Sequence, residues 1–326
     1  MRTNRIIQFL LAFVAITIIS CSPTKKEKQE LLIGVQTYSF RTMEDESPLS
    51  ILGYIKETGI KHVELMGNHA EPYAGAPESP MGNSENSAIL YKQYRNEELT
   101  PEEKEKAVVI TQAMEVYKTA VQEWRKNVDF SKFEELRDLY AEAGISIYAF
   151  KPNVFEKNNT DDDIRYGMRA AKALGATHVT LEHPSDDEHT ARLGKIAEEE
   201  KIIVAYHGHM QQTPTLWDTA ISQSASNWLN LDFGHYISAE NENPLQIILD
   251  KKERIASMHL KDRQRKSNGG ANLEWGKGDT PIIEVIQLMR ENNCTFPVTV
   301  ELEYDIPEGS NAVEEVKRCL AYISGI

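Results

Sequence analysis

The sequence predicts an α/β chain that closes into a (β/α)₈ TIM barrel with a helical insertion after strand 2. Three observations predict it. Eight short β-branched or apolar runs recur along the chain, amphipathic helical patterns lie between them, and helices repeatedly give way to strands through a glycine. The length of 326 residues and the 40% apolar content fit one large barrel.

The glycine punctuation is the clearest repeat. Glu57-Thr58-Gly59 precedes His62-Val63-Glu64-Leu65, Glu142-Ala143-Gly144 precedes Ile145-Ser146-Ile147-Tyr148, and Ala173-Leu174-Gly175 precedes His178-Val179-Thr180-Leu181. A glycine suits the left-handed residue just past a helix end. The apolar run after it suits a strand buried on both faces, as in a parallel sheet.

The expected strands are 32–39, 62–66, 146–150, 178–182, 202–206, 229–232, 256–260 and 298–303. The expected helices are 48–58, 133–143, 162–174, 189–199, 244–252, 281–292 and 312–323. A doubly wound open sheet is the alternative, but no Gly-rich phosphate loop follows the first strand. The insertion spans about 68–127. Its first part is rich in Pro, Gly and small polar residues. Residues 98–125 form a long helical pattern that begins at the capping box Thr100-Pro101-Glu102-Glu103. An insertion after a barrel strand lies on the catalytic face, as a lid over the pocket or as a brace.

The first residues stand outside the barrel, which is expected over 31–326. Arg2 and Arg5 precede an apolar run, Ile6 to Ile19, broken only by Gln8 and Thr17. The run is short for a membrane span and fits a signal peptide over 1–20. Ile18-Ile19-Ser20-Cys21 resembles a lipobox, so Cys21 is the expected lipidation site and 21–30 a Lys-rich tether. The expected location is the envelope of a bacterium, exported, with the membrane met only through this anchor.

The formal charge of −14 becomes more negative without Arg2 and Arg5. An acidic surface repels phosphate backbones and argues against nucleic acid. Cys294 and Cys319 are the cysteines left after Cys21. They are able to pair in an exported protein, but two cysteines make neither a disulfide framework nor a thiolate metal cluster.

In such a barrel the functional groups sit at the C-terminal ends of strands. Strand four ends at Glu182-His183, strand five at His207-Gly208-His209, and strand six at Asp232-Phe233-Gly234-His235. Strand seven carries His259-Leu260-Lys261-Asp262 and strand eight Glu301-Leu302-Glu303. One charged or imidazole group in an apolar strand is usually a satisfied core residue. Five in register at one end point to a metal site, because each is costly there unless paired or ligated. The candidate ligands are Glu182, His207, Asp232, His259 and Glu301. This set, free of thiolate, suits Mn²⁺, Mg²⁺, Co²⁺ or Zn²⁺. Glu64 and Lys151, at the same end of strands two and three, are candidates for substrate contact. Trp275 is a further one, among the Trp and Tyr residues able to stack on a sugar face.

Leu231-Asp232-Phe233-Gly234-His235 resembles an Asp-x-x-His motif, and Met258-His259-Leu260-Lys261-Asp262 a His-x-Lys-Asp motif. Trp275-Gly276-Lys277-Gly278-Asp279 resembles a Gly-x-Gly turn before a last helix. In this order they resemble the xylose isomerase-like, sugar phosphate isomerase/epimerase superfamily, over roughly 32–67 and 128–325. The resemblance implies Asp232, His259 and Glu301 as metal ligands, with His235 and Lys261 contacting substrate oxygens. Ketose epimerases of the superfamily carry a Glu at the end of strand five. Here Tyr206-His207-Gly208-His209-Met210 is more similar to the stretch in inosose dehydratases. Either Glu182 supplies the missing carboxylate or a histidine moves the proton.

The implied chemistry is proton abstraction next to a carbonyl with a divalent metal as Lewis acid. His207 or His209 is the candidate base, with Glu301 or Glu182 as the competing choice and Lys261 assisting. Export, and the lack of a phosphate cradle, point to a non-phosphorylated sugar or keto-sugar. Isomerisation or epimerisation is the leading expectation. Dehydration or lyase chemistry on a keto-inositol or 3-keto-glycoside is the alternative, and a non-catalytic carbohydrate-binding lipoprotein a second. An abasic-site endonuclease shares the fold but needs a basic groove, which the charge opposes.

Overall fold

A computed structural model of the chain describes residues 30–82 and 84–325. The expected signal segment, Cys21 and all of the tether except Glu30 lie outside the described residues.

Eight strands close into one parallel barrel. We number them β1 (Ile33–Gln36), β2 (His62–Met66), β3 (Ser146–Lys151), β4 (His178–Glu182), β5 (Ile203–His207), β6 (Asn227–Asp232), β7 (Ile255–Leu260) and β8 (Val298–Val300). Every neighbour runs parallel, and β1 pairs with β8 to close the ring, Ile33 opposite Val298. The helices are α1 (Pro48–Thr58), α2 (Ser84–Tyr94), α3 (Pro101–Asn127), α4 (Ser131–Glu142), α5 (Asp161–Ala173) and α6 (Asp187–Glu200). They continue as α7 (Asp218–Gln223), α8 (Phe233–Ser238), α9 (Gln246–Lys251), α10 (Ile282–Glu291) and α11 (Ala312–Ile323).

The helix–glycine–strand cadence is realised as expected. Gly59, Gly144 and Gly175 follow α1, α4 and α5 with φ of +80°, +74° and +77°. Only a residue without Cβ adopts that backbone at little cost. The buried faces of the helices pack on the outside of the barrel. Phe133, Leu136 and Tyr140 of α4 and Val285, Ile286 and Met289 of α10 belong to one continuous core with the strand residues Val35, Val63, Val204 and Leu231.

Two strands end earlier than expected. β1 gives way at Thr37–Phe40 to a 3₁₀ turn, and β8 stops at Val300. The reason lies in hydrogen bonding. Leu302 N–H donates to Ser39 Oγ at 3.0 Å and Arg41 donates to the Leu302 carbonyl at 2.5 Å, so side chains replace the ladder there. Three helices were not expected, α2, α7 and α8. The first two are polar, and α8 turns directly out of β6, with the Asp232 carboxylate capping it by accepting from the His235 N–H at 2.8 Å.

The insertion is α2 and α3. Thr100 and Glu103 form the expected reciprocal cap of α3. Ile89, Leu99, Ala107 and Ile110 make a small core of their own. The far end of α3 braces the barrel: the Trp124 indole donates to the Ala74 carbonyl at 3.1 Å and meets the Tyr166 ring of α5 edge-on at 5.4 Å. Cys294 and Cys319 are buried free thiols, so the disulfide the sequence allowed is not formed.

Candidate active site

The barrel interior is polar from β1 round to β8. Tyr148 and Thr299 share a hydroxyl contact of 2.5 Å, and His178 Nε2 lies 2.9 Å from Ser257 Oγ. Burial pushes the His178 imidazole down to about 4, so it is neutral. Above this layer, toward the C-terminal strand ends, the charged groups begin.

His259 of β7 stands between two carboxylates. Its Nε2 is 2.8 Å from Glu64 Oε2 and its Nδ1 is 3.0 Å from Glu301 Oε2. Burial disfavours its charge, but the carboxylates of Glu301 and Glu64 outweigh it and raise the imidazole to about 10. Burial likewise opposes the Glu64 carboxylate, yet His259 and the Thr180 hydroxyl hold it down at about 2. Glu64 is wholly buried, with Oε1 taken by Gln36 Nε2 at 3.0 Å and Thr180 Oγ1 at 2.6 Å. The expectation that Glu64 contacts substrate is therefore corrected: it is an inner support of His259.

Lys261, just past β7, reaches three carboxylates. Its Nζ lies 2.8 Å from Asp232 Oδ2, 2.7 Å from Glu301 Oε2 and 2.6 Å from Glu303 Oε2. Burial alone would favour the neutral amine, but Asp232 and Glu301 keep it charged far above the usual range. Burial opposes the charge of Glu301, whereas Lys261 and His259 hold its carboxyl well below the normal value.

His207 is oriented by its neighbour on β6. Asn230 donates through Nδ2 to Ser257 Oγ at 2.7 Å, so its Oδ1 accepts from His207 Nδ1 at 2.6 Å. That leaves His207 Nε2 as a bare lone pair, 3.6 Å from Asp232 Oδ2. Burial, with the cationic His259 and Lys151 nearby, lowers this ring to about 3. A neutral imidazole held from behind is the usual form of a metal ligand.

At the rim, Lys151 Nζ lies 2.7 Å from Glu182 Oε1, and Glu182 Oε2 is 3.3 Å from His209 Nε2. Burial works against the Glu182 charge, but His207 and Lys151 draw its carboxyl down to about 2. His235 accepts at Nδ1 from Arg263 Nη1 at 3.0 Å, which leaves its proton on Nε2. Burial, then Lys261 and Arg263, push this ring down to about 2. The four imidazoles form a chain: ring centroids are 4.8 Å apart for His259 and His207, 4.8 Å for His207 and His209, and 4.6 Å for His209 and His235.

Two overlapping groups have ligand atoms within 4.8 Å of one another: His207, Asp232 and His259, all buried, and Glu182, His207 and His209 at the rim. Asp232 Oδ2 is buried and makes no well-formed hydrogen bond among the described residues. With the bare Nε2 of His207 beside it, this donor set fits a divalent cation. Lys261 and protonated His259 occupy the same carboxylates, so a bound cation requires the ammonium to withdraw and the imidazole to lose its proton.

The remaining sequence candidate stands apart. Trp275 packs edge-on against Tyr322 of α11 and lines a different cleft with Tyr304 and Arg318. Its turn is bound to Asp262, whose carboxylate accepts the N–H groups of Gly276, Gly278 and Thr280 at 2.7, 2.9 and 3.2 Å.

Sequence reasoning missed Gln36, Thr180, Asn230 and Arg263, and gave Glu303 no role. The available signal was polar side chains inside strand patterns, and a second carboxylate two residues past Glu301.

Fold and site together define a (β/α)₈-barrel protein with a histidine–carboxylate centre at the strand C-termini. Residues 111–322 match the xylose isomerase-like TIM barrel family, and the chain belongs to it. It is 30% identical over 152 residues to an inosose dehydratase of Clostridium tetani (strain Massachusetts / E88), covering 40% of this chain and 50% of that protein. The chain thus spans about half the length of the relatives of this kind that it matches. Among solved structures it resembles a sugar phosphate isomerase/epimerase from Parabacteroides distasonis ATCC 8503, with TM-score 0.58, 16% identity, and coverage of 92% of this chain and 98% of that one. It also resembles the apo 3-keto-D-glucoside 4-epimerase of E. coli, with TM-score 0.57, 13% identity, and coverage of 91% and 100%. At these identities the structural likeness concerns the fold.

Proposed function

We propose that the chain is a metal-dependent sugar isomerase or epimerase that abstracts a proton beside a carbonyl of a non-phosphorylated sugar or keto-sugar. The observation that carries this reading is the convergence of His207, Asp232 and His259, with Glu301 beside them, at the C-terminal mouth of the barrel. A divalent cation held by these residues supplies Lewis-acid stabilisation of negative charge on the substrate, worth several kcal/mol in comparable enzymes.

The chain's own residues divide the remaining work. His235 offers Nε2–H, and Lys261 offers its ammonium, to substrate oxygens. Glu182 and His207 sit at about 2 and 3, too low for a strong base near neutrality. His209 is half-exposed and has the Glu182 carboxylate against Nε2, which favours a proton there and leaves Nδ1 to take the substrate's. Lys151 holds Glu182 in place for that role. Returning the proton to the neighbouring carbon yields an isomer, and to the opposite face an epimer. The choice of a non-phosphorylated substrate rests on the proposed export.

A second reading is dehydratase or lyase chemistry on a keto-inositol or 3-keto-glycoside. It is favoured by the paired His207 and His209 at the end of β5 and by the similarity to inosose dehydratases. The two readings share the first proton transfer.

The test is solvent deuterium uptake by a panel of ketoses, keto-inositols and 3-keto-glucosides, with the bound metal of the purified full chain measured in parallel. Exchange beside the carbonyl that needs metal and disappears in Glu301→Gln is expected. Full exchange in metal-stripped protein would reject the proposal. Export with a lipid at Cys21 is a separate proposal, tested by palmitate labelling that Cys21→Ser should abolish.

A further inference from the structure

A second cleft, of about 750 Å³, lies between the insertion and the ends of the first three strands. Its size falls within the roughly 300–1,000 Å³ usual for small-ligand sites. Asn68 lines it two residues beyond β2, and Asn153 two residues beyond β3. Lys151, the last residue of β3, is already bound to Glu182 of the histidine centre. The cleft therefore lies at the same, C-terminal end of the barrel as the histidine centre, on the side of β2 and β3.

The walls are held rigidly. His69 bridges Thr37 Oγ1 at 2.8 Å and Glu46 Oε2 at 2.9 Å, tying the loops after β1 and β2. Tyr166 donates to Glu71 Oε1 at 3.0 Å. Arg125 of α3 is 9% exposed and its Nε has no hydrogen-bond partner among the described residues. Its guanidinium contacts Asp163 only at 3.4 Å. A cation this buried is an incomplete polar environment unless something is bound beside it.

The lining states the ligand's chemistry. Arg125 is outnumbered by Glu46, Glu71 and Glu78, which disfavours an anion. Burial raises the Glu71 carboxyl above its usual range, against the pull of Arg125 and the Tyr166 hydroxyl. Asn68, Asn153 and the Tyr117 phenol both donate and accept, and the Tyr117 ring offers an apolar face. Neutral donors and acceptors around one aromatic face match a hydroxyl-rich ring.

We infer that this cleft binds the second unit of a glycoside, so that the substrate is a sugar joined to another polyhydroxylated ring and not a free monosaccharide. This rests on the reading of the histidine centre as a carbohydrate site. The insertion is then the element that selects the substrate, with α3 supplying Tyr117 and Arg125.

The experiment compares affinities of the full chain for glucose, maltose, cellobiose and trehalose by titration calorimetry. At least one disaccharide is expected to bind tenfold or more tightly than glucose. Tyr117→Ala and Asn153→Ala are each expected to bring that ratio close to one with glucose affinity unchanged. Asn153 lies outside the insertion, so it reports independently if the α3 variant loses its fold by circular dichroism. No disaccharide preference, or a preference that survives both variants, overturns the inference. The ratio is read without turnover. Absent deuterium exchange with the ratio intact thus rejects the catalytic proposal alone, and normal exchange with no ratio rejects this one alone.

Discussion

The ammonium of Lys261 lies 2.7 Å from the Oε2 of Glu301, the same oxygen that faces His259 Nδ1 at 3.0 Å. The carboxylate expected to hold a metal is thus shared by two side-chain cations. With no divalent cation bound, Lys261 and His259 offset two of the three charges on Asp232, Glu301 and Glu64, so each buried carboxylate has a cation against it.

Lys261→Met removes one of those cations. In metal-free buffer the variant should lose about 3–5 kcal/mol, the usual cost of leaving buried carboxylates without their partner. Added Mn²⁺ should restore more stability to it than to the wild type, because the competitor is gone. Thermal melts in chelator and in Mn²⁺ check this. An Mn²⁺-induced rise in Tm no larger than the wild-type rise would sink the idea that lysine and metal share the same carboxylates.

Buried neutral histidines set the acid limb of stability. His178 has its imidazole lowered to about 4, while the unfolded chain takes up that proton near 6.5. A lowered histidine costs stability as pH falls through the window between these values. The loss reaches about 2 kcal/mol at pH 5 for this one group. His178→Asn should flatten the fall between pH 6.5 and 4 by about one proton's slope. Urea midpoints across that range measure it, and an unchanged slope would count against a neutral His178.

Trp124 joins the insertion to the barrel. Trp124→Ala removes the edge-on packing on Tyr166 and the bond to the Ala74 carbonyl. A loss of about 3 kcal/mol is expected for a half-buried indole. Hydrogen exchange should rise in α2, α3 and residues 71–75 and stay unchanged in β5 to β8. Uniform loosening of the barrel would show that the brace is global.

Gly278 is closed to any side chain. A Cβ there would lie 2.2 Å from Asp262 Oδ1 and 3.0 Å from Arg263 N. Gly278→Ala should cost about 1–3 kcal/mol through overpacking. It should also disturb the Arg263–His235 contact, because Asp262 must turn and release the N–H groups it holds. Chemical shifts of the His235 ring, read beside the melt, separate the two effects.

The barrel was legible because its signals are local. Apolar runs, the cap at Thr100 and the glycines at 59, 144 and 175 each act over a few residues, and all formed, with only β1 and β8 shorter than expected. Asp232, His235, His259 and Glu301 were legible for the same reason, since a polar residue at the end of an apolar strand marks the barrel mouth. The helices α2, α7 and α8 were not, because short helices owe their existence to what they pack against. Trp275 was a candidate sugar platform in the sequence, and its contact with Tyr322 of α11 is a tertiary one that no local pattern announces.

The order of strands, the identity of the mouth residues and the position of the insertion follow from the amino-acid sequence alone. Which of those residues meet was decided only by closure of the ring. Glu64 and His259 are 195 residues apart, and no local preference encodes their contact. Pairing of β1 with β8 brings the two walls together, and burial then leaves each charge one stable choice: the nearest opposite charge. That is why Lys261 lies among carboxylates, and why Glu64 is a support within the barrel and not a surface for substrate.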